Sequence, residues 1–463
     1  MRLLESKEWV EQQFNGCELN NSMRTVRLIK VARNMLGEPN ASLPKQNCNW
    51  SDVKAVYRLL DREEVTFDAV ADCHWRRTRA IGEGRYLLIS DTTELKKLNC
   101  NTIKELAYIG PGIGIGMQLH SCLAIDSSNG LVRGMAGALL NYRKQARKTE
   151  TQMQRLRRAR ESQIWGNLVQ QIGPPTNNAQ WIHVFDRGGD NFEALCNIVL
   201  NRCDWVIRVG KMHRNVKNAA GELVRMPDAL KDAVEIGSYE IDLRSRPRQA
   251  ARTAKMIVSS TSITIPRPQH HSPFTKECGI HSIETNIVIV QEVNAPKGVK
   301  PIRWVLMTSL PAKTFNQACQ VIEDYECRWL IEEYHKVIKT GCKIEGHSLR
   351  TIGRLEALIG LVSVIGVRLL QLKTIGKADK TAVAYNRVPP TWLNALKHLK
   401  PRIQLTKITV YEFFREIAKL GGFLGRKSDG DPGWQTTWYG YRKLQLIVHG
   451  IEIGLQIRDL KPG

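Results

Sequence analysis

The chain has 463 residues and is strongly basic, with 68 lysines and arginines against 45 acidic residues and a formal net charge of +23 at pH 7. Such a charge favours binding to a polyanion, and DNA, RNA, the ribosome or an acidic membrane would all fit it. The eleven cysteines include no Cys-x-x-Cys pair, so we interpret them as reduced thiols of a cytoplasmic protein. The N-terminus is charged from the outset, unlike a signal peptide, and the most apolar stretch, residues 355–372, is interrupted by Glu356 and Arg368. We therefore expect a core helix there and no membrane partner.

Residues 1–68 have a helical and basic pattern. We predict one helix from Arg24 to Leu36 and another that begins at Ser51. Arg24 and Arg27 are three residues apart and therefore share one face of the first helix. Two arginines on one face are as often ordinary surface charge as a binding site, so the residues alone leave both interpretations open.

Two carboxylates follow strand-like apolar runs in the next zone, residues 69–372. The run that begins at Tyr86 stops at Asp91, and the run that begins at Trp181 stops at Asp186. A carboxylate at the end of a buried strand has a rigid base and reaches solvent, as a metal ligand must. Either aspartate alone would more often start a turn or cap a helix, and it is their combination with a third acid that indicates a metal site.

Two further segments of this zone stand out. The segment from Arg143 to Arg160 is rich in arginine and lysine, and we interpret it as a loop or exposed helix at a DNA surface, or else a solvated face without a partner. Strand-like patterns recur in residues 238–243, 255–265 and 286–293, so we predict a β-rich insertion at about 235–310.

The third acid belongs to a helical motif near the end of this zone. On a regular helix, Tyr325, Arg328, Glu332 and Lys339 lie within a stripe about 60° wide, with Lys336 beside them. Such a face suits a phosphodiester held at a metal ion. The acid binds the cation, the basic side chains bind phosphates, and the aromatic ring stacks on a nucleobase. The alternative is a solvated face with ion pairs one turn apart.

Residues 373–463 are predicted to contain loops, a helix from Tyr411 to Leu420 and a last helix from Trp438 to Leu460. The apolar residues of the last helix recur at helical spacing, with no obvious partner left in the chain. From the residues alone, the helix is interpreted as packed on its own domain.

With these motifs the chain resembles the DDE transposases of the bacterial insertion-sequence-four family, the Tn-five transposase in particular. Tyr325, Arg328, Glu332 and Lys339 match the family signature Tyr-x2-Arg-x3-Glu-x6-Lys. The resemblance covers nearly the whole chain and includes residues 23–28, 91–93, 185–187, 294–304 and 420–423. The sequence departs from the family at Gly188, where an acidic residue is common.

The resemblance implies an α/β fold: an RNase H-like catalytic domain with a β-rich insertion (69–372), between a helical DNA-binding domain (1–68) and a helical dimerisation domain (373–463). It implies a cut-and-paste transposase that binds double-stranded transposon ends as a homodimer, cleaves through a hairpin intermediate, and joins 3′-OH ends to target DNA in the bacterial cytoplasm, at the nucleoid. Asp91, Asp186 and Glu332 would hold two Mg²⁺ or Mn²⁺ ions. The expected DNA contacts are Arg24, Arg27, Arg208, Trp304, Tyr325, Arg328, Lys336 and Lys339.

Trp304 is expected to stack on a displaced base, because it lies 28 residues before Glu332, the spacing of the base-stacking tryptophan in that family. The residues alone favour a core tryptophan on a strand, since the apolar run continues through Met307. Two other functions remain open: a metal-dependent structure-selective nuclease that joins no ends, and a non-catalytic DNA-binding regulator derived from a transposase.

Overall fold

The structure is a computed structural model. It describes all residues except 1–2, 48, 97–102, 111–113, 144–148, 150, 152–153, 155–159, 177, 244, 246–249, 379, 427–428 and 460–463. Most of the basic segment between Arg143 and Arg160 lies outside the described residues, so its predicted conformation is not addressed.

Five helices form the N-terminal region. They are α1 (Ser6–Phe14), α2 (Ser22–Gly37), α3 (Leu43–Gln46), α4 (Trp50–Leu60) and α5 (Phe67–Arg79). Short polar side chains fix where they begin: Asn21 accepts a hydrogen bond from the Met23 N–H at 2.8 Å, and Asn49 accepts one from Asp52 at 2.8 Å. The two helices predicted here are present, with starts within two residues of the prediction.

The centre of the chain is a mixed sheet that begins with an antiparallel meander. Its strands are β1 (Gly84–Lys96), β2 (Ala107–Ile109), β3 (Gly114–Asp126) and β4 (Leu131–Asn141). Then follow α6 (Ile164–Ile172), β5 (Ala179–Phe185), α7 (Phe192–Leu200) and β6 (Asp204–Arg208), in which β5 pairs parallel with both β1 and β6. Helices α6 and α7 cover one face of the sheet, and α5 and later helices cover the other.

The predicted β-rich region extends this same sheet. After β7 (Asn215–Lys217), β8 (Leu223–Arg225) and the short helix α8 (Met226–Ala229), it contains β9 (Val234–Leu243), β10 (Arg252–Pro266), α9 (Pro273–Glu277), β11 (Ser282–Val293) and β12 (Arg303–Thr308). Strand β12 pairs with β6, which joins the added strands edge to edge with the central ones. The insertion is therefore continuous with the sheet that carries the candidate acids.

The signature motif does not lie on one straight helix, so that expectation is wrong. It is divided among α10 (Phe315–Glu326), α11 (Trp329–Lys336) and a π-helical turn, Val337–Gly341. The backbone tightens between α10 and α11, where Arg328 and Ile331 donate to carbonyls three residues back at 3.0 and 3.2 Å. The tight bend and the π turn each change the rotation between successive side chains around the helix axis. The side chains of the motif therefore do not point where an ideal helix would place them.

A long apolar helix, α12 (Ile352–Ala378), runs through the core. It is long and apolar enough to cross a membrane by composition, yet 94% of its apolar window is buried inside the protein. It contacts α5, β4, α11 and the C-terminal helices, as expected for a core helix. The chain does not break at residue 372, where the sequence suggested a domain boundary, because α12 continues to Ala378.

The C-terminal region consists of α13 (Pro390–Leu399), α14 (Val410–Leu420) and α15 (Trp434–Asp459). The expectation that the last helix lacks a partner is wrong for its first half, where Trp438, Tyr441 and Leu444 are buried against α12, α13 and α14. Its second half exposes apolar side chains, among them Leu455 and Ile457. The interpretation as a helix packed on its own domain therefore holds for its first half.

The crossing of α14 and α15 depends on a glycine. A Cβ atom on Gly440 would lie 1.7 Å from the Ile417 carbonyl oxygen, whereas one on Gly450 of the same helix would meet nothing within 4 Å. We predict that Gly440→Ala lowers the free energy of unfolding by about 1–3 kcal/mol or more, because the two helices must separate. Gly450→Ala is the matched control and should be neutral or stabilising by about 0.5–1 kcal/mol, since alanine favours the helix. Equal stability of the two variants in chemical denaturation would contradict this packing.

Candidate active site

Asp91 and Asp186 lie side by side on neighbouring parallel strands. The β1–β5 pairing joins Leu88 to His183 and Ile89 to Val184, and two residues further along that register are Asp91 and Asp186. Asp186 directly follows the last residue of β5. β1 itself does not end at Asp91, contrary to expectation, but continues to Lys96 while paired with β3. One side of Asp91 is open because β5 leaves the sheet at this level, and not because β1 stops.

The Asp186 carboxylate also caps a turn. It accepts a hydrogen bond from the Gly188 N–H at 2.7 Å, at the start of the short helical turn Arg187–Gly189. The capping role considered from the sequence is therefore present together with the position beside Asp91. Only one carboxylate oxygen is used in the cap, and the other has no hydrogen bond within the described part of the chain.

Arg328 joins Glu332 to Asp91. Helix α11 packs across β1 and β3, and Arg328, just before it, forms ion pairs with Glu332 and, at 3.5 Å, with Asp91. The guanidinium thus lies between a strand carboxylate and a helix carboxylate. A positive group in this position offsets part of the repulsion among the acids.

The environment of Asp91 makes its charge costly. Burial and then the neighbouring negative charge of Asp186 raise the pKa of Asp91 to about 6, with Glu332 adding a smaller contribution. A nearby cation stabilises the ionised form of a carboxylate in this position and so lowers its pKa again. The three acids are therefore electrostatically coupled, although they come from two strands and a helix.

The donor set fits a hard divalent cation, since carboxylate oxygens are the ligands that Mg²⁺ and Mn²⁺ prefer. As the side chains stand, no three His, Cys, Asp or Glu residues of the described chain converge closely enough to hold a metal ion. Arg328 occupies the contacts between Asp91 and Glu332. A cation could bind between Asp91, Asp186 and Glu332 after the Arg328 side chain turns away. The position of Arg328 therefore distinguishes the present arrangement, with its ion pairs, from one with a bound cation.

An aromatic and basic group lies next to the acids. The rings of Trp304 on β12 and Tyr325 on α10 contact edge to face, with centroids 5.3 Å apart. Arg208, at the end of β6, lies within hydrogen-bonding reach of the Tyr325 hydroxyl, and the Arg328 guanidinium is 6.0 Å from the Tyr325 ring centre. Trp304 is only partly buried, whereas Tyr325 is 4% exposed. Four expected DNA-contact residues thus form one cluster at the edge of the acid site.

Two lysines extend beyond Glu332. Lys336 is exposed at the end of α11, and Lys339 lies in the π turn, close enough to His335 for its charge, after burial, to help lower the pKa of that histidine to about 3. Neither lysine forms an ion pair with any described residue. Both ammonium groups are therefore available to an external anion.

Arg24 and Arg27 are not part of this site. Arg24 pairs with Glu64 at 2.9 Å and donates to the Leu19 carbonyl, and Arg27 pairs with Asp52 at 2.9 Å. All of these contacts lie within the N-terminal region. A phosphate bound by either arginine would have to compete with an acidic partner.

The sequence interpretation did not identify two residues near the site. Asp190 is 1% exposed, accepts hydrogen bonds from the Gly210 and Lys211 N–H groups at 2.7 and 2.8 Å, and pairs with Arg214. It thereby fixes the loop that follows Arg208. The signal available in the sequence was its position four residues after Asp186. Trp329, next to Arg328, is 59% exposed, which is unusual for tryptophan and invisible without the fold.

Asp91→Asn should stabilise the metal-free protein. Because the folded pKa, about 6, lies above the ordinary value of 3.8, ionised Asp91 destabilises the fold at pH 8, and this cost disappears as the pH falls towards 4. We expect a gain of about 1–3 kcal/mol in the free energy of unfolding at pH 8 and none near pH 4. Chemical denaturation in the presence of a chelator measures it. A stability difference that does not depend on pH would contradict the coupling of the three acids.

Comparisons with protein families agree with this architecture at both ends of the chain. Residues 6–65 match the family model of the transposase DNA-binding domain, and residues 364–457 match that of the Tn5 transposase dimerisation domain. The candidate acids lie between the two matched stretches. The second match begins inside α12, so the dimerisation region includes part of the core helix. Together the matches support a Tn5-like DNA transposase with a DNA-binding region at one end and a dimerisation region at the other.

Proposed function

We propose that this protein is a cut-and-paste DNA transposase of the DDE type, similar to the insertion-sequence-four family, which binds the inverted repeats at transposon ends. The observation that carries the proposal is that Asp91 and Asp186 lie at the same level on adjacent strands, with Glu332 joined to Asp91 through Arg328. This acid cluster lies between a DNA-binding match and a dimerisation match. A transposase needs these three parts in one chain.

The sheet topology supports an RNase H-like catalytic domain. Within the larger sheet, the order β4-β3-β1-β5-β6 is a three-stranded antiparallel meander followed by two strands parallel to β1. We take that order as support for the RNase H-like arrangement that the resemblance implies. In it, the carboxyl ends of the parallel strands share one edge of the sheet, where binding and catalytic residues collect in such folds.

Asp91, Asp186 and Glu332 would hold two Mg²⁺ or Mn²⁺ ions. Such ions would activate water or a 3′-hydroxyl for attack on a phosphodiester and stabilise the leaving oxygen. Arg328 would then leave its position between the acids and become free to bind a phosphate oxygen. Lys336 and Lys339, which have no acidic partner among the described residues, would hold the backbone phosphates beside the cleaved bond.

The cluster of Trp304, Tyr325, Arg208 and Arg328 supports a hairpin intermediate. A hairpin bends the duplex sharply at its end and unstacks a base, at a cost of a few kcal/mol. A partly exposed tryptophan ring can accept that base, and stacking returns about 1–3 kcal/mol. The neighbouring guanidiniums can hold the phosphate of the displaced nucleotide.

The second half of α15 supports the pairing of two subunits on two DNA ends. The exposed apolar residues from the middle of the helix onward are Leu446, Ile451, Ile453, Leu455 and Ile457. Leu446, Ile453 and Ile457 share one face of the helix, and Ile451 and Leu455 lie on the opposite face. Exposed apolar side chains concentrated in one segment are typical of an interaction site. This segment also continues the dimerisation match, which ends at residue 457.

A structure-selective nuclease could use the same acids without joining DNA. Covalent transfer of a labelled transposon end into a plasmid separates the two functions, because a nuclease gives only cleaved ends. A non-catalytic regulator would bind the ends without metal-dependent cleavage. The intact acid cluster favours the enzyme over the regulator.

We predict that Asp91→Asn, Asp186→Asn and Glu332→Gln each abolish cleavage of transposon-end DNA and leave end binding largely intact. Each substitution removes a metal ligand but no phosphate contact, and losses of this kind reduce the rate by about 10³-fold or more. The measurement is cleavage of a labelled end in the presence of Mg²⁺, together with a gel-shift assay of binding.

The matched control is Glu333→Gln. Glu333 adjoins Glu332 but pairs with Lys373 on α12, away from the acid site. This variant should lose some stability and retain cleavage. Normal cleavage by Glu332→Gln, or loss of cleavage by Glu333→Gln alone, would show that the wrong face of α11 has been assigned.

Trp304→Ala should leave the first nick nearly normal and slow hairpin formation selectively, by about 10-fold or more if stacking contributes more than about 1.4 kcal/mol. Time courses that resolve nicked and hairpin products measure the two steps, and Trp304→Phe should recover part of the rate. Circular dichroism verifies that the variant is folded. An equal loss of nicking and hairpin formation would instead mean that Trp304 is a core residue.

A further inference from the structure

A second basic site shares no residue with the acid cluster. It is a cavity of about 350 Å³ between the N-terminal segment, α5, β4 and α12. Three arginines line it, Arg77, Arg133 and Arg368, together with Gln and Thr side chains and apolar groups. No carboxylate is among the described residues that line it. The cavity is therefore positively charged and rich in hydrogen-bond donors.

Arg368 is the inner wall of this cavity. It is 1% exposed, and one guanidinium nitrogen donates to the Leu4 carbonyl at 2.6 Å. The guanidinium also lies over the Trp9 and Trp392 rings, at 5.5 and 6.0 Å from their centres. Its Nε–H has no hydrogen-bond partner in the described part of the protein. An unpaired buried donor of this kind costs free energy unless a ligand accepts its hydrogen bond.

The charge of Arg368 is not neutralised by an ion pair. Tyr441 is a polar neighbour, and Glu5 is a nearby acid. The Glu5 carboxylate, however, accepts hydrogen bonds from Thr391 and, at 2.7 Å, from Trp392 Nε1. No ion pair within 4.0 Å joins Glu5 to Arg368 among the pairs of described residues. A buried guanidinium without a salt bridge is strongly disfavoured in the absence of a counter-ion.

The other two arginines add charge to the same space. Arg77 is exposed and donates to Gln12 Oε1 at 3.2 Å, and Arg133 is half-buried on β4. Neither forms an ion pair with a described residue. Because Arg77 is exposed and Arg368 is buried, the cavity leads from the surface into the protein. Three arginines thus line one cavity without an acid among its described lining residues, and an oxyanion there would gain charge-assisted hydrogen bonds.

We propose that this cavity binds a small phosphate-bearing anion. Guanidinium groups match the geometry of phosphate oxygens, and the volume accommodates inorganic phosphate, pyrophosphate or the phosphate end of a nucleotide. Intact duplex DNA is too wide to enter a cavity of about 350 Å³, so the ligand is a small free anion. The bound anion joins the N-terminal segment at Leu4 and Trp9 to α12, and thus the DNA-binding end of the chain to the dimerisation end.

The test is direct binding of inorganic phosphate and of pyrophosphate to the full chain, without metal or DNA. Isothermal titration calorimetry at constant ionic strength, with chloride as the balancing anion, should show one saturable site. Arg77→Gln and Arg133→Gln should each weaken binding about 10-fold, the equivalent of one lost charge-assisted hydrogen bond. The anion should raise the unfolding temperature of the unaltered protein and have less effect on these two variants.

The matched control is Arg76→Gln. Arg76 adjoins Arg77 on α5 but pairs with Asp72 at 2.7 Å and does not line the cavity. This variant should bind phosphate as the unaltered protein does. Non-saturable binding, or equal weakening in Arg76→Gln and Arg77→Gln, would overturn the proposal, because either result indicates general surface charge.

Two further measurements identify the source of the phosphate. Duplex DNA should not displace the bound anion, and displacement by DNA would show that the arginines belong to a DNA surface, which overturns the proposal. Lys336→Gln should bind phosphate normally, since Lys336 lies beside the acid site and does not line the cavity. Loss of phosphate binding in Lys336→Gln would mean that the anion occupies the basic residues beside Glu332 instead, which overturns the proposal.

Discussion

The parallel pairing of β1 and β5 is the constraint on which the rest of the candidate site depends. It fixes Asp91 and Asp186 at the same level, because a parallel ladder sets the relative positions of all residues along both strands. A shift of one residue would turn one carboxylate to the opposite face of the sheet. The strands themselves are buried and apolar, with Leu87 and Ile89 facing one layer of helices and Tyr86 and Leu88 the other. Stability of the core and placement of the acids therefore have the same origin.

That placement has an electrostatic cost. Burial and nearby negative charge raise the pKa of Asp91, and Arg328 lies between the acids in place of a cation. Proteins retain such unfavourable arrangements mainly at functional sites, where a ligand offsets them. The same reasoning applies at the other charged site, where the buried Arg368 and its neighbours lack acidic partners. One site has excess negative charge and the other excess positive charge, and our proposals place an ion of opposite sign at each.

Helix α12 connects these sites and the ends of the chain. It packs on the N-terminal helices, on the sheet through β4, on α11, and on the C-terminal helices. Arg368 belongs to this helix, and Lys373 on it pairs with Glu333 of α11, next to Glu332. A rigid buried helix with contacts to every region transmits a displacement at either end more readily than a loop does. The DNA-binding and dimerisation regions are therefore mechanically linked through the core.

The sequence by itself determined the apolar runs before Asp91 and Asp186, the helical ends of the chain and the spacing of the signature motif, because these follow from local periodicity and capping. It did not determine that β1 continues past Asp91 or that the motif is divided by a tight bend and a π turn, since both depend on which neighbours are present. The extension of the sheet through β12 and the packing of α15 likewise depend on contacts between distant segments. Sequence patterns specify which residues prefer to be buried, whereas only the tertiary structure decides against what they are buried, and that choice set the geometry of both charged sites.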